Sequence, residues 1–225
     1  MSWTNRDRRI ILGITGASGA PYAVRTIELL AQRGIEVHVV VSTLGRRLLL
    51  EECGIVDVTA SALAGRSDPA QVVLHSGRDM GAVIASGSFR HGGMIVVPCS
   101  SNTLGALASG MTNTLVQRAA AVTLKEGRPL LLAHRETPLS RIDLGNMDRL
   151  AAAGATIIPL SPGFYTQPRS IDDLVDFMAG RLLDRIGIDH DLPVRWEDVM
   201  LGGQPSVESE TASNTVPGGG SRSST

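Results

Sequence analysis

Two polar turns hold most of the side chains in this sequence that could do chemistry. The first, "GITGASGA" at residues 13 to 20, places Ser18 in a glycine-punctuated turn behind an apolar run. The second, "PCSSNT" at residues 98 to 103, groups Ser100, Ser101, Asn102 and Thr103 behind another apolar run. Small hydroxyl and amide side chains at a helix start, together with free backbone N–H groups, hold an anion such as phosphate. Helix caps favour the same residue types, so each turn alone is a weak signal. Cations and carboxylates stand nearby in sequence: Glu51 and Glu52 in "LLLEECG", Lys125 in "LKEGR", and Arg135 and Glu136 in "HRETP". Carboxylates suit proton transfer, and cations suit charge developing on a departing anion.

The spacing Gly13, Gly16, Gly19 excludes two familiar nucleotide readings. A dinucleotide turn needs G-x-G-x-x-G and an acid ending the next strand, but Ser42 stands there; a P-loop needs Gly-Lys-Ser/Thr, which does not occur. What remains is a phosphate-bearing or planar ligand of another kind, or a turn that only makes a tight strand–helix connection. Both readings stay open on this stretch alone. Two cysteines, Cys53 and Cys99, are too few for a disulfide framework and have no ligand-spaced partners, so no metal site is expected. Cys99 reads as a buried small residue, because no histidine is placed to activate it. His75, His91 and His134 form no i, i+4 pair and read as structural or surface residues.

The elements that must position these residues follow from hydrophobic periodicity. Short apolar, β-branched runs at 10–15, 35–42, 94–98, 130–134 and 155–158 read as strands buried on both faces. Helical spacing appears between the first two, where Ala23, Val24, Ile27, Leu30 and Ala31 share a face and Gly34 closes the helix. It recurs near 44–53, 113–126, 141–153 and 171–186, the last opening on Ser170 as N-cap. Such alternation predicts a single α/β domain: a doubly wound, Rossmann-like, mostly parallel sheet with helices on both faces. Ligands of such sheets bind beyond the strands' carboxyl ends, where both polar turns lie. Residues 1–8 are expected to be mobile, 9–201 to form the domain with a closing segment, and the Gly/Ser/Thr/Pro-rich 202–225 to be disordered. A net charge of -1 gives no electrostatic case for nucleic acid or an anionic membrane surface. No apolar run is long enough for a membrane span and no signal-peptide core opens the chain, so a cytoplasmic protein is expected.

Several longer segments add a family. "GITGASGAPYA", "ASGS" at 85–88, "PCSSNTLGALASG", "LKEGRPLLLAHRETPLS" and "PGFYTQPRS" together closely resemble the flavin prenyltransferases, the UbiX/Pad1-like proteins. These belong to the superfamily of homo-oligomeric flavin-containing Cys decarboxylases. The likeness runs over roughly residues 9–196. It implies a metal-independent enzyme that joins the dimethylallyl group of dimethylallyl phosphate to N5 and C6 of reduced FMN. The prenylated FMN serves a separate UbiD-type decarboxylase, and members are commonly dodecamers with sites between subunits. By the same resemblance, Gly16, Ala17, Ser18, Ser42, Ser100, Ser101, Asn102, Thr103 and Arg135 touch the flavin. Lys125, Tyr165 and Arg181 hold the prenyl phosphate, and Trp196 closes the site. Glu136 assists phosphate departure, while Glu52, rather than Glu51, and Ser18 move a proton near N5.

The match is incomplete at three places. Met80 stands where some members carry a tryptophan against the prenyl group; a thioether gives polarisable packing but no π-face for a developing cation. Ala121 replaces a usual aspartate, and "FRHGGM" replaces a more polar segment. A flavin-dependent cysteinyl decarboxylase is the alternative enzyme; it would need a catalytic histidine and a P-x-M-N-type substrate loop, and no such loop occurs. A non-catalytic flavin-binding accessory subunit is the other alternative.

Overall fold

Residues 10 to 14 are apolar without alternation, and the strand they form is covered on both sides. Ile10, Ile11, Leu12 and Ile14 are all fully buried, each such side chain contributing roughly 1.5–3 kcal/mol. The structure, a computed structural model, describes residues 8–192. Residues 1–7 of the expected mobile start (1–8), most of the closing segment, Trp196 and the 202–225 tail lie outside the described residues.

In chain order the elements are β1 (Arg9–Ile14), α1 (Ala20–Gln32), β2 (Glu36–Val41), α2 (Thr43–Cys53), α3 (Ala60–Ala64), β3 (Val72–His75), β4 (Gly93–Cys99) and α4 (Ser101–Ala108), followed by α5 (Leu115–Lys125), β5 (Leu130–His134), α6 (Arg141–Ala152), β6 (Thr156–Pro159) and α7 (Ile171–Ile186). The sheet order is β3-β2-β1-β4-β5-β6, and every pairing is parallel. The doubly wound reading therefore holds, and the sheet is parallel throughout rather than mostly. Chain direction across the sheet reverses between β1 and β4, the switch point at which such sheets open a crevice.

Both faces are covered. One core joins the sheet to α1, α2, α3 and α7 through Ile27, Leu30, Leu49, Leu63 and Leu182. The other joins it to α4, α5 and α6 through Leu104, Leu115, Val116, Ala119 and Leu150. Arg25 on α1 fastens α7 by donating to Asp176 at 2.6 Å. Ser170 caps α7 as expected, in a reciprocal capping box with Asp173. Two short elements escaped the sequence reading. β3 is a four-residue edge strand with only Val72 buried, so it lacks the long apolar run of its neighbours. α3 has five residues, too few to show a period. No helix among the described residues is long and apolar enough to cross a membrane.

Candidate active site

The turns after β1 and β4 face each other across the switch point and are tied together by one side chain. Thr15 Oγ1 donates to Pro98 O at 2.7 Å and accepts from Ser100 N at 2.9 Å. The cleft they frame encloses about 390 Å³ and is lined by both turns, the start of α2, the start of α5 and Glu136. Gly16 is required there by space. A Cβ on it would lie 2.5 Å from Leu44 Cβ, so any larger residue would push α2 away from the turn. Gly19 has φ 122, a backbone conformation that side-chain-bearing residues avoid.

The two helix starts at this edge differ. At α1, the Glu52 carboxylate accepts from Gly19 N at 2.9 Å and Ala20 N at 2.7 Å. The expectation of free N–H groups there is thus corrected: this chain supplies its own anion at the α1 dipole. Ala17 N is also engaged, donating to Thr15 O at 3.0 Å. At α4, by contrast, the cap is made by neutral groups. Ser100 Oγ accepts from Thr103 N at 3.3 Å and donates to Thr103 Oγ1 at 3.2 Å. Ser42 caps α2, accepting from Gly45 N at 3.0 Å. Ser18 is exposed on its turn, and its hydroxyl has no partner among the described residues.

Ser101 is the hub of the second turn. Its Oγ donates to Glu136 Oε2 at 3.4 Å and lies 3.1 Å from His134 Nε2. Glu136 also accepts from Thr137 N at 3.0 Å. Arg135, between them in sequence, is held by its backbone N–H on Cys99 O. Its Nε is buried without a hydrogen-bond partner among the described residues. A guanidinium donor left unpaired in the fold is costly, and an incoming anion would satisfy it.

The structure groups Gly16, Ser42, Ser100, Ser101, Asn102, Thr103 and Glu136 in one cleft. Ser18, Glu52 and Arg135 stand beside it on the same sheet edge. Met80 and Tyr165 lie on the loops after β3 and β6, which reach that edge too. Met80 is 43% exposed, and Tyr165 packs edge-on against Phe177 at 5.5 Å. Lys125 and Arg181 are not brought there within one chain. α5 begins at the cleft but Lys125 is its last residue, eleven residues long in all, or about 16 Å along the axis. Arg181 sits roughly 15 Å down α7 from Ile171 and is 3.4 Å from Asp184. Both helices run antiparallel to the strands, which carries their later turns to the opposite edge.

Thr15, Thr43, Leu44, Thr114, Val116 and Gln117 also line the cleft and were not singled out from sequence. Thr114 and Gln117 form a capping box on α5, and their T-x-x-Q spacing was the available signal. Cys99 is fully buried, and burial pushes its thiol up to about 12, so it carries no nucleophile. No group of three His, Cys, Asp or Glu among the described residues could hold a metal ion.

The Flavoprotein family model matches residues 2–183. The flavin prenyltransferase UbiX of Halalkalibacterium halodurans is 43% identical over 189 residues, 82% of this chain and 91% of that protein. A crystal structure of AnUbiX (PadA1) in complex with FMN and dimethylallyl pyrophosphate is 42% identical, with a TM-score of 0.74 over 81% of this chain and 94% of that one. A dodecameric FMN-dependent UbiX-like decarboxylase from Escherichia coli O157:H7 is 40% identical, with a TM-score of 0.74 over 84% of this chain and 98% of its own.

Proposed function

We propose, from the premise that this chain belongs to the flavin prenyltransferase family, that it joins the dimethylallyl group of dimethylallyl phosphate to N5 and C6 of reduced FMN. Reduced FMN supplies the nucleophilic positions of that reaction. One observation carries the assignment of the cleft: the buried, unpartnered Arg135 Nε beside a hydroxyl-lined helix start at the sheet's switch point. A phosphate-bearing planar ligand fits these residues. The glycine turn admits a flat group close to backbone, while α4 and Arg135 offer donors to an anion. Ser42, Ser100, Ser101, Asn102 and Thr103 bind, with Gly16 and Ala17 forming the wall of the turn. Ser18 and Glu52 stand at the first turn, where they manage a proton, and Glu136 acts at the departing phosphate. Met80 and Tyr165 shape the prenyl side, with the thioether in place of a π-face setting the tolerated donor.

Lys125 and Arg181 join this site from another copy of the chain. Their position on the opposite edge supports that reading. A homo-oligomer, dodecameric by likeness to its relatives, follows. The closing role of Trp196 and the domain limits at 9 and 201 belong to this same proposal. The product serves a UbiD-type decarboxylase. Cys53 and Cys99 are both free thiols, which suits a reducing, cytoplasmic setting.

The test is the mass of the flavin. Anaerobic incubation with reduced FMN and dimethylallyl phosphate should give a flavin heavier by one prenyl unit. Unchanged FMN despite tight FMN binding would overturn the assignment.

A further inference from the structure

A line of polar side chains runs inward from the cleft and ends on a histidine that the reaction has not used so far. His134, the last residue of β5, is 3% exposed. Its Nε2 lies 3.1 Å from Ser101 Oγ, and Ser101 in turn donates to Glu136 Oε2 at 3.4 Å. A hydroxyl has one hydrogen to give. While Ser101 gives it to Glu136, the His134–Ser101 contact is a hydrogen bond only if His134 carries its proton on Nε2 and donates outward. If the imidazole instead carries its proton on Nδ1, Nε2 becomes an acceptor and Ser101 turns away from Glu136. The tautomer of a buried ring therefore selects the partner of a hydroxyl in the cleft.

We propose that His134 is a positioning residue for prenyl transfer: by donating to Ser101 it commits the Ser101 hydroxyl to Glu136 and fixes the direction of that carboxylate. This rests on the reading that Glu136 acts at the departing phosphate. Three further observations agree with it. His134 bonds a side chain from a different element, α4, so it ties the β4 and β5 strand ends across one wall of the cleft. Burial lowers its basicity from the ordinary value, Arg135 lowers it further, and Asp143 and Glu136 oppose the shift. At neutral pH the ring is thus a neutral donor rather than a second cation beside Arg135. Asp143, the acid facing it from α6, is engaged as the N3 carboxylate of the Ser140 capping box and also interacts with the Ser101 hydroxyl, whose hydrogen bond in the fold goes to Glu136. Among the described residues, the hydrogen-bond partner of the imidazole is Ser101.

The experiment is steady-state prenylation by the full-length chain with reduced FMN and dimethylallyl phosphate, for wild type, His134→Leu, His134→Gln, Ser101→Ala, Glu136→Gln and the His134→Leu/Glu136→Gln double variant. The glutamine amide N–H reaches about as far as Nε2 and can still donate. His134→Leu should lower kcat about tenfold with KM and the FMN dissociation constant within about twofold, and His134→Gln should recover most of that loss. In the Glu136→Gln background, His134→Leu should add less than about a further twofold, because the two residues act as one unit. Equal slowing by Leu and Gln, a loss confined to KM, or full additivity in the double variant would overturn the proposal. Should His134→Leu fail to fold, Ser101→Ala carries the same test, with the same kcat loss and the same non-additivity expected. If Glu136→Gln slows turnover while His134→Leu does not, only this inference falls. If Glu136→Gln turns over normally, the role of Glu136 falls with it.

Discussion

Two histidine networks lie on this one sheet, and they differ in where their hydrogen bonds end. At the β2–β3 edge, His38 Nδ1 meets His75 Nε2 at 2.9 Å while His38 Nε2 meets Glu36. Phe89 packs edge-on against His38 at 4.8 Å and stacks near His91 at 6.0 Å. Arg9 lies over the Phe89 ring and pairs with Glu36. The partners of that network are all within the fold. At the β4–β5 strand ends, the chain from His134 runs through Ser101 to Glu136 and opens into the cleft, next to an arginine donor with no partner among the described residues. Burial lowers basicity in both places. A perturbed histidine alone thus does not mark a site; an unfinished network at a strand's carboxyl end does.

The sharpest way to break this contrast is Arg135→Met. Because Nε has no partner among the described residues, removing it should leave thermal stability the same or slightly higher, while prenylation falls by about a hundredfold or more. Loss of stability with activity retained, read by thermal melts and product mass, would make Arg135 a structural residue and the contrast empty. The closed network should respond in the opposite sense. His75→Ala should cost about 1–3 kcal/mol in urea unfolding by stranding a His38 nitrogen, with turnover per folded molecule unchanged.

That network should also govern acid sensitivity. His38 and His75 are lowered in the fold chiefly by burial, and His91 is pushed down to about 4. Their folded pKa values thus lie below the unfolded value near 6.5. The unfolded chain takes up protons first as pH falls, so stability present at neutral pH is lost progressively below about 6.5. Melting temperatures between pH 7.5 and 5 should fall, and His75→Gln should flatten that slope; a slope unchanged in the variant would remove His75 from the account. Smallest of all, Ser18→Ala should leave FMN binding intact and slow prenylation only several-fold, since its hydroxyl supports nothing in the fold. Normal turnover would take Ser18 out of the chemistry.

The sheet was legible in sequence wherever strands are covered on both faces, as in β1, β4 and β5, because double burial writes an unbroken apolar run. β3 was not, since an edge strand of four residues carries too little of that pattern. Strand-end positions for the cleft residues followed from the same runs. What spacing could not convey was contact at long range. Glu52 meets the α1 start across 33 positions, and no periodicity announces it. Lys125 and Arg181 are site residues only by the family resemblance, and one chain's fold sends them to the far edge. His134 was set aside because it has no i, i+4 partner, whereas its partner lies 33 positions away on α4.

The Glu52 carboxylate at the start of α1 has a consequence for how a ligand enters. Of the helix starts that follow β1 and β4, only that of α4 still welcomes negative charge, since that of α1 is neutralised from within. A molecule with a phosphate at one end and a flat, uncharged ring at the other therefore meets a crevice with a built-in polarity. Its charged end is drawn toward α4, its ring is left to lie against the glycine turn, and the reversed pose sets phosphate against carboxylate. The chain sets head and tail before any reacting group is in place.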